Sequence, residues 1–236
     1  WEANDDSTEF VFTLRDDVTF SNGEQVTPTT FVESWKRVLN PELASDLSYH
    51  FLPIEGATEY LEGTADEISG LEADDEANTL TVTLADPLSD WPAVVTHTVF
   101  SPVPEEAYSA TTADEINAWE QDIMIGNGPY AMAEPWKANE YIKVTENTDY
   151  WGEAPKIPNI EFRISVDTAA SFNAFEGGEG DTAYIPPGQF AAATETYNNS
   201  TDPTFGLYYF GVAWEAEERG GDENLAVRQA ISLAID

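Results

Sequence analysis

Cysteine is absent from the 236-residue sequence, and histidine occurs only twice. Without thiols, disulfides and thiolate chemistry are excluded, and a zinc site would have to rely on two isolated imidazoles. His50 and His97 lie far apart in the sequence, and no serine stands in a nucleophile-elbow motif, so nothing here indicates a Ser-His-Asp triad. His97 lies in an apolar run and is predicted to be a satisfied core residue.

Basic residues are also scarce, since nine lysines and arginines stand against 45 acidic residues, for a formal net charge of −36. The 12% aromatic content and the clear hydrophobic periodicity argue against disorder, and no calcium-loop spacing of carboxylates is present. Acids spread along the whole chain are typical of a halophilic protein, because a Debye length of about 3 Å at 1 M salt screens self-repulsion. The same charge argues against nucleic acid or an anionic membrane as a direct partner.

Long hydrophobic runs are missing too, and no stretch approaches the roughly 20 residues of a membrane span. No signal peptide is recognisable. The chain opens at Trp1 directly before a predicted strand and ends at Asp236 in or just after a predicted helix. We therefore expect it to be the middle of a longer precursor, whose leader and membrane anchor would lie outside it.

The most regular pattern near the N-terminus predicts a strand, a turn and a helix. Apolar and polar residues alternate over 9–14, as in a strand with one buried face, and Asn22-Gly23 predicts a turn. Thr27 is suited to cap a helix that begins at Pro28, where the missing N–H costs nothing. Asn40-Pro41 should end this helix, and its single apolar stripe predicts packing on one side only.

This region resembles the signature region of the solute-binding proteins that serve oligopeptide and dipeptide ABC importers. The likeness is carried by Leu-Arg-x-Asp, by Phe-Ser-Asn-Gly-Glu-x-Val-Thr and by Phe-Val-x-Ser-Trp-x-Arg-Val-x-Asn-Pro. It continues through DDEANTLTVTLADP, SPVP, Gly-Pro-Tyr, Asn-x-x-Tyr-Trp, a Gly-Glu-x-Asp-like turn and VRQAISLAID. The resemblance therefore extends to the end of the chain.

The resemblance implies a periplasmic-binding-protein-like type II fold in the α/β class, or α+β for the insertion lobe taken alone. Residues 1–123 are expected to form most of the small insertion lobe of a three-lobe architecture. Residues 124–236 are expected to form a central part of the first main lobe, with the third lobe outside the chain. Pattern alone predicts strands over 80–84, 141–145 and 160–166, and helices over 169–175 and 225–236.

The aromatic run Phe205–Trp214 is predicted to be a strand, with Tyr208 and Tyr209 on opposite faces. Two adjacent tyrosines indicate that one hydroxyl meets water or a ligand, although both could simply cap a sheet edge. In the family, the matching strand lines the peptide cleft, and Tyr209 falls on a ligand-contacting position. Ala213-Trp214 replace the Asn-Asn that the family usually carries there, and Tyr208 and Trp214 are expected to contact the ligand together with Tyr209.

The resemblance also implies ligand contacts at Tyr49 and His50, and at Tyr184 after the Gly-Glu-x-Asp-like turn. The expected function is capture of a peptide in an interlobe cleft by a monomer that delivers it to ABC permease subunits. No catalytic residue, metal or cofactor is expected, and the protein is expected at the cell surface.

Nickel chelate, haem or oligosaccharide are alternative cargoes, while a secreted hydrolase and a purely structural module remain as other classes of protein. Overlapping glycosylation sequons begin at Asn198 and Asn199.

Overall fold

A computed structural model describes the chain except for residues 111, 113, 116–123, 202–205, 207–208, 216–219 and 236. The chain forms two compact units, Trp1–Ser171 and Phe172–Asp236. Strands and helices are both present, which confirms the predicted mixed α/β class. The predicted lobe boundary between residues 123 and 124 stays a prediction.

The first unit begins with four strands, β1 Glu2–Ala3, β2 Glu9–Thr13, β3 Leu71–Asp74 and β4 Thr79–Thr83. They form an antiparallel sheet in the order β1-β2-β4-β3. Phe10 lies opposite Val82 and Phe12 opposite Leu80, so the alternating side chains of β2 and β4 reach the same face. The strand predicted over residues 9–14 is thereby confirmed.

Helix α1, Pro28–Leu39, forms as the sequence predicted. The Thr27 hydroxyl accepts a hydrogen bond from Thr30 N, and the Thr30 hydroxyl accepts one from Thr27 N at 3.1 Å, so two otherwise orphaned donors are satisfied. Shorter helices follow before residue 110. They are α2 Ala57–Leu61, α3 Trp91–Val94 and α4 Glu105–Tyr108, with 3₁₀ turns at Ser48–Phe51 and Thr98–Phe100.

Trp35 of α1 lies at the centre of the core against the first sheet. Its ring meets Phe51 and Phe100 edge-on at centroid distances of 5.8 and 5.4 Å, and its Nε1 donates to Phe100 O at 3.0 Å. Edge-to-face aromatic contacts add to the free energy of apolar burial, and the hydrogen bond satisfies the buried indole. This core fixes the 3₁₀ turns at Ser48–Phe51 and Thr98–Phe100.

A second, three-stranded antiparallel sheet follows in the same unit, in the order β5-β6-β7. Its strands are β5 Tyr130–Met132, β6 Tyr141–Glu146 and β7 Asn159–Arg163. The β6 prediction is confirmed, whereas β7 ends at Arg163, before the predicted limit at residue 166. Ser21 N donates to Gly126 O at 2.9 Å, and the Arg15 guanidinium lies 4.7 Å from the Trp151 ring, which joins this region to the first.

Helices dominate what is described of the second unit. Their bounds are α5 Thr168–Glu176, which begins just before the unit boundary, α6 Phe190–Thr196 and α7 Leu225–Leu233. Tyr197 meets Phe172 and Phe175 edge-on at 6.2 and 5.0 Å, which anchors the end of α6 against α5. Asn198 and Asn199 follow in an exposed loop. Among the described residues, no helix has the length and apolar character needed to cross a membrane.

The strand predicted for Phe205–Trp214 is wrong for the residues that the structure describes. Gly206 and residues 209–213 have no regular secondary structure, and Trp214 lies in a turn. A strand needs a neighbour for its backbone hydrogen bonds, and the described part of Phe172–Asp236 contains no strand to pair with. High β-propensity alone therefore did not decide the conformation.

Candidate functional site

Tyr49, His50 and His97 form a cluster of three rings on the first unit, called here the His50 cluster. The His50 ring lies 4.2 Å from Tyr49 at an interplanar angle of 30° and 4.4 Å from His97 at 28°. His50 is half-buried, Tyr49 is 58% exposed, and His97 is exposed. The two histidines of the sequence, distant along the chain, are thus in ring contact.

The cluster is positioned by the core beneath it. Tyr49 and His50 lie in the Ser48–Phe51 turn, whose Phe51 is fully buried, and His97 immediately precedes the Thr98–Phe100 turn, whose Phe100 is buried. The rings of Phe51 and Phe100 are 4.4 Å apart. Because the two turns are held together from below, the rings above them are brought together as well.

The prediction that His97 is a core residue is wrong, because its side chain is exposed. Two neighbouring threonines were the signal for exposure, since a buried run would have carried apolar residues at Thr96 and Thr98. The His97 Nδ1 accepts a hydrogen bond from Val99 N at 3.2 Å, which fixes the ring against its own turn. Sequence reasoning named two of the three rings and missed this third one.

A mostly apolar cavity of about 300 Å³ opens between the first sheet and α1. Phe100 contributes to its wall and also meets the His50 ring at 6.4 Å, so the cavity and the His50 cluster share a residue. This volume is at the lower end of that of small-ligand pockets. The lining residues are Phe12, Thr13, Leu14, Arg15, Phe31, Trp35, Leu80, Val95 and Phe100.

The remaining predicted ligand residues belong to the second unit. Tyr184 is 86% and Tyr209 80% exposed, and Tyr208 lies outside the described residues. Trp214 is exposed as well, and the Arg228 guanidinium lies 5.4 Å from its ring centroid. Arg228 also donates to Gly221 O, so helix α7 is tied to the turn that precedes it.

Within the described residues, neither imidazole is hydrogen-bonded to a hydroxyl or a carboxylate, as a nucleophile–base pair would require. The same residues contain no group of three or more histidine, cysteine or acidic side chains placed to hold a metal ion. The His50 cluster offers two imidazole rings and a phenol ring with its hydroxyl.

Comparison with known families identifies the chain. All of its residues, 1–236, match the middle region of the bacterial extracellular solute-binding proteins, family 5. The chain belongs to this family. Membership in family 5 also confirms the predicted periplasmic-binding-protein-like fold, and structural likeness supports it independently.

Among family 5 relatives, the chain is 28% identical over 242 residues to the dipeptide-binding protein DppE of Bacillus subtilis. It is 25% identical over 243 residues to the probable deoxycholate-binding periplasmic protein YgiS of Escherichia coli. The solved structure of Haemophilus influenzae OppA in complex with RPPGFSPFR is 27% identical, with a TM-score of 0.68 over 83% of this chain.

These alignments cover only part of each relative. The chain spans 42% of the length of DppE, 44% of YgiS and 38% of the OppA chain, while all of it is matched in the first two.

Proposed function

We propose that this chain is part of the substrate-binding component of an ABC importer, which captures peptides and delivers them to permease subunits at the membrane. The observation that carries the proposal is the family 5 match over residues 1–236. DppE is named as a dipeptide-binding protein and the OppA structure holds a peptide, which supports peptide cargo here.

Capture would work by closure of two lobes over an extended peptide. A ligand that touches both lobes favours the closed state by its differential affinity for that state. The proposed contacts are Tyr49 and His50 on one lobe and Tyr184, Tyr208, Tyr209 and Trp214 on the other. Exposed rings support these roles for Tyr49, Tyr184, Tyr209 and Trp214, since an apolar face with a polar edge suits a peptide. The half-buried His50 ring lies against the exposed Tyr49 ring.

The protein acts as a binder rather than an enzyme in this proposal, as a monomer at the cell surface, with membrane anchoring through sequence outside this chain. Its acidic composition supports a role in concentrated salt, where screening reduces self-repulsion. The family description as extracellular solute-binding proteins supports the location.

A non-peptide cargo is the second candidate, and one relative favours it. YgiS is named as probably deoxycholate-binding, and this chain has an apolar cavity of about 300 Å³. The nickel, haem and oligosaccharide alternatives have no comparable support in the described residues.

The test is calorimetric titration of the full-length protein that contains this chain, in multimolar KCl. The ligands are a mixed pool of di- to pentapeptides and, separately, deoxycholate. We expect saturable heat with peptides and at least tenfold weaker binding after Tyr209→Ala, because loss of an aromatic residue that is a binding hot spot costs about 2 kcal/mol or more. Phe190→Leu, an exposed residue outside the proposed site, is the control.

Heat with deoxycholate and none with peptides would contradict the proposed peptide ligand and leave the family 5 membership unchanged. No heat with either ligand would contradict the proposed function. Unchanged peptide binding after Tyr209→Ala would remove that residue from the site while leaving peptide capture in place.

A further inference from the structure

His97 is the one ring of the His50 cluster to which the resemblance assigns no role. It is exposed, it is in ring contact with His50 at 4.4 Å, and His50 also meets Tyr49 at 4.2 Å. If Tyr49 and His50 contact a ligand, as proposed above, the His97 ring borders the same surface.

The hydrogen bond from Val99 N to His97 Nδ1 fixes which nitrogen can serve a ligand. Because Nδ1 accepts a hydrogen bond, its lone pair is occupied. The neutral ring is therefore the tautomer that carries its hydrogen on Nε2. Among the described residues, Nε2 has no hydrogen-bond partner. His97 therefore presents an N–H donor that the protein itself does not use.

The backbone that sets this geometry is firmly held. Phe100 N donates to His97 O at 3.0 Å, and Phe100 O accepts from the buried Trp35 Nε1 at 3.0 Å. The turn that presents Val99 N to the ring is thus tied into the core of the first sheet. A donor held in place before binding loses little conformational entropy when a ligand arrives.

An N–H donor selects the chemistry of its partner. It suits an oxygen acceptor, which a peptide supplies as a backbone carbonyl or as the terminal carboxylate. It does not suit a metal ion, because the lone pair that would coordinate metal is engaged at Nδ1 and Nε2 carries the hydrogen.

We propose that His97 is a ligand-contacting residue that donates its Nε2–H to an oxygen of the bound peptide, beside the ring faces of Tyr49 and His50. The inference rests on the proposed function and adds to it a residue with a defined hydrogen-bonding role. A hydrogen bond of this kind contributes about tenfold in affinity.

The experiment uses the full-length protein and two substitutions of opposite character. His97→Phe keeps a ring against His50 and removes the donor, whereas His97→Gln removes the ring and keeps an N–H donor of similar reach. The probes are trialanine and trialanine amide, titrated by calorimetry in multimolar KCl. Phe162→Leu, an exposed strand residue on the other sheet, is the control, and thermal unfolding of each variant checks that the fold is kept.

We expect His97→Phe to weaken trialanine about tenfold and His97→Gln to stay within about threefold of the parent protein. A loss confined to trialanine identifies the charged carboxylate as the acceptor, and a loss that persists with trialanine amide identifies a neutral carbonyl oxygen. Equal binding by His97→Phe and the parent, or equal losses in both variants, would overturn the donor role. No binding by the parent would instead contradict the proposed function.

A long-range ¹H–¹⁵N spectrum reports the protonation of each His97 nitrogen and the chemical shift of Nε2–H. Ligand binding would not change this shift if His97 only supported the fold. The spectrum should show Nδ1 unprotonated and Nε2 protonated in the free neutral ring, with the Nε2–H signal shifting when trialanine is added. The signal is assigned by its absence in His97→Phe. Protonation at Nδ1 in the free neutral ring would overturn the inference.

Discussion

The strands of the two sheets in the first unit have similar alternating sequences, but their apolar side chains are buried to very different extents. In β2 and β4, Phe10 and Val82 are fully buried beneath α1 and the turns around Trp35. In β5, β6 and β7 no residue is buried, and Phe162, although it lies in a regular strand, is 54% exposed. Alternation therefore encodes the strand, while burial depends on what covers it.

Ion pairs stand where the second sheet lacks a core. Lys143 of β6 lies 2.8 Å from Glu134 and 3.9 Å from Glu161 of β7, and its Nζ is 4.1 Å from the Tyr141 ring centroid. Exposed pairs of this type contribute little individually and weaken as salt rises. The first sheet should thus dominate the stability of the unit, and the second should respond more to its surroundings.

The largest expected effect comes from a matched pair of phenylalanines, Phe10 in β2 and Phe162 in β7. Phe10→Ala should lower the free energy of unfolding by about 3–5 kcal/mol, because a fully buried ring is lost and a cavity remains. Phe162→Ala should cost less than about 1 kcal/mol, since half of that ring is already in water. Urea unfolding of the two variants and the parent measures both values.

Equal losses in the two variants would contradict the comparison. They would mean that the face of β7 is covered in solution and that the second sheet has a core of its own. Circular dichroism of the folded baselines distinguishes this outcome from a general collapse of the Phe10→Ala variant.

The same contrast separates what the sequence predicts from what it leaves open. Thr27, Pro28 and Asn40 act locally, within a few residues of the helix ends, so the bounds of α1 were predictable. The aromatic run at 205–214 was misjudged because a strand needs a partner, which is not a local property. The threonines beside His97 indicated its exposure locally, but its ring contact with His50 follows from how two distant turns pack together. Tyr209 and Tyr184 keep their proposed roles, but their surroundings could not be deduced from local pattern.

Salt dependence should sharpen the difference between the sheets. Between 0.1 and 2 M KCl, screening of the −36 charge should raise the unfolding midpoint, and a gain of about 2 kcal/mol corresponds to roughly 4–8 °C. Amide hydrogen exchange should gain less protection in β6 than in β4, because the same screening weakens the Lys143 ion pairs of the second sheet and leaves the apolar packing of the first intact. Sorbitol at matched osmolality controls for general exclusion from the protein surface. A midpoint that falls or stays constant would contradict the halophilic interpretation.

A smaller effect is expected at the start of α1, within the well-packed region. Thr27→Ala removes the hydroxyl that accepts from Thr30 N, and it should cost about 1 kcal/mol of the free energy of unfolding. Thr27→Ser keeps the acceptor and is the matched control. If both variants have the same free energy of unfolding in urea as the parent protein, packing alone positions the helix and the cap contributes nothing measurable.

The smallest expected effect is a pKa difference on the second sheet. Hydrogen bonds from Lys143 and Tyr141 hold the pKa of the Glu134 carboxyl below its ordinary value of 4.5. Because the folded-state pKa is the lower one, the stabilisation is present above the unfolded pKa and is lost as pH falls through the folded pKa. Lys143→Met should move the Glu134 pKa upward in a carboxyl NMR titration, whereas Lys156→Met, at an exposed lysine without an ion pair in the described residues, should not. In 2 M KCl the difference between parent and Lys143→Met should shrink, because an exposed pair is screened. A difference that persists at full size would mean that the pair is shielded from solvent, and that the second sheet is covered after all.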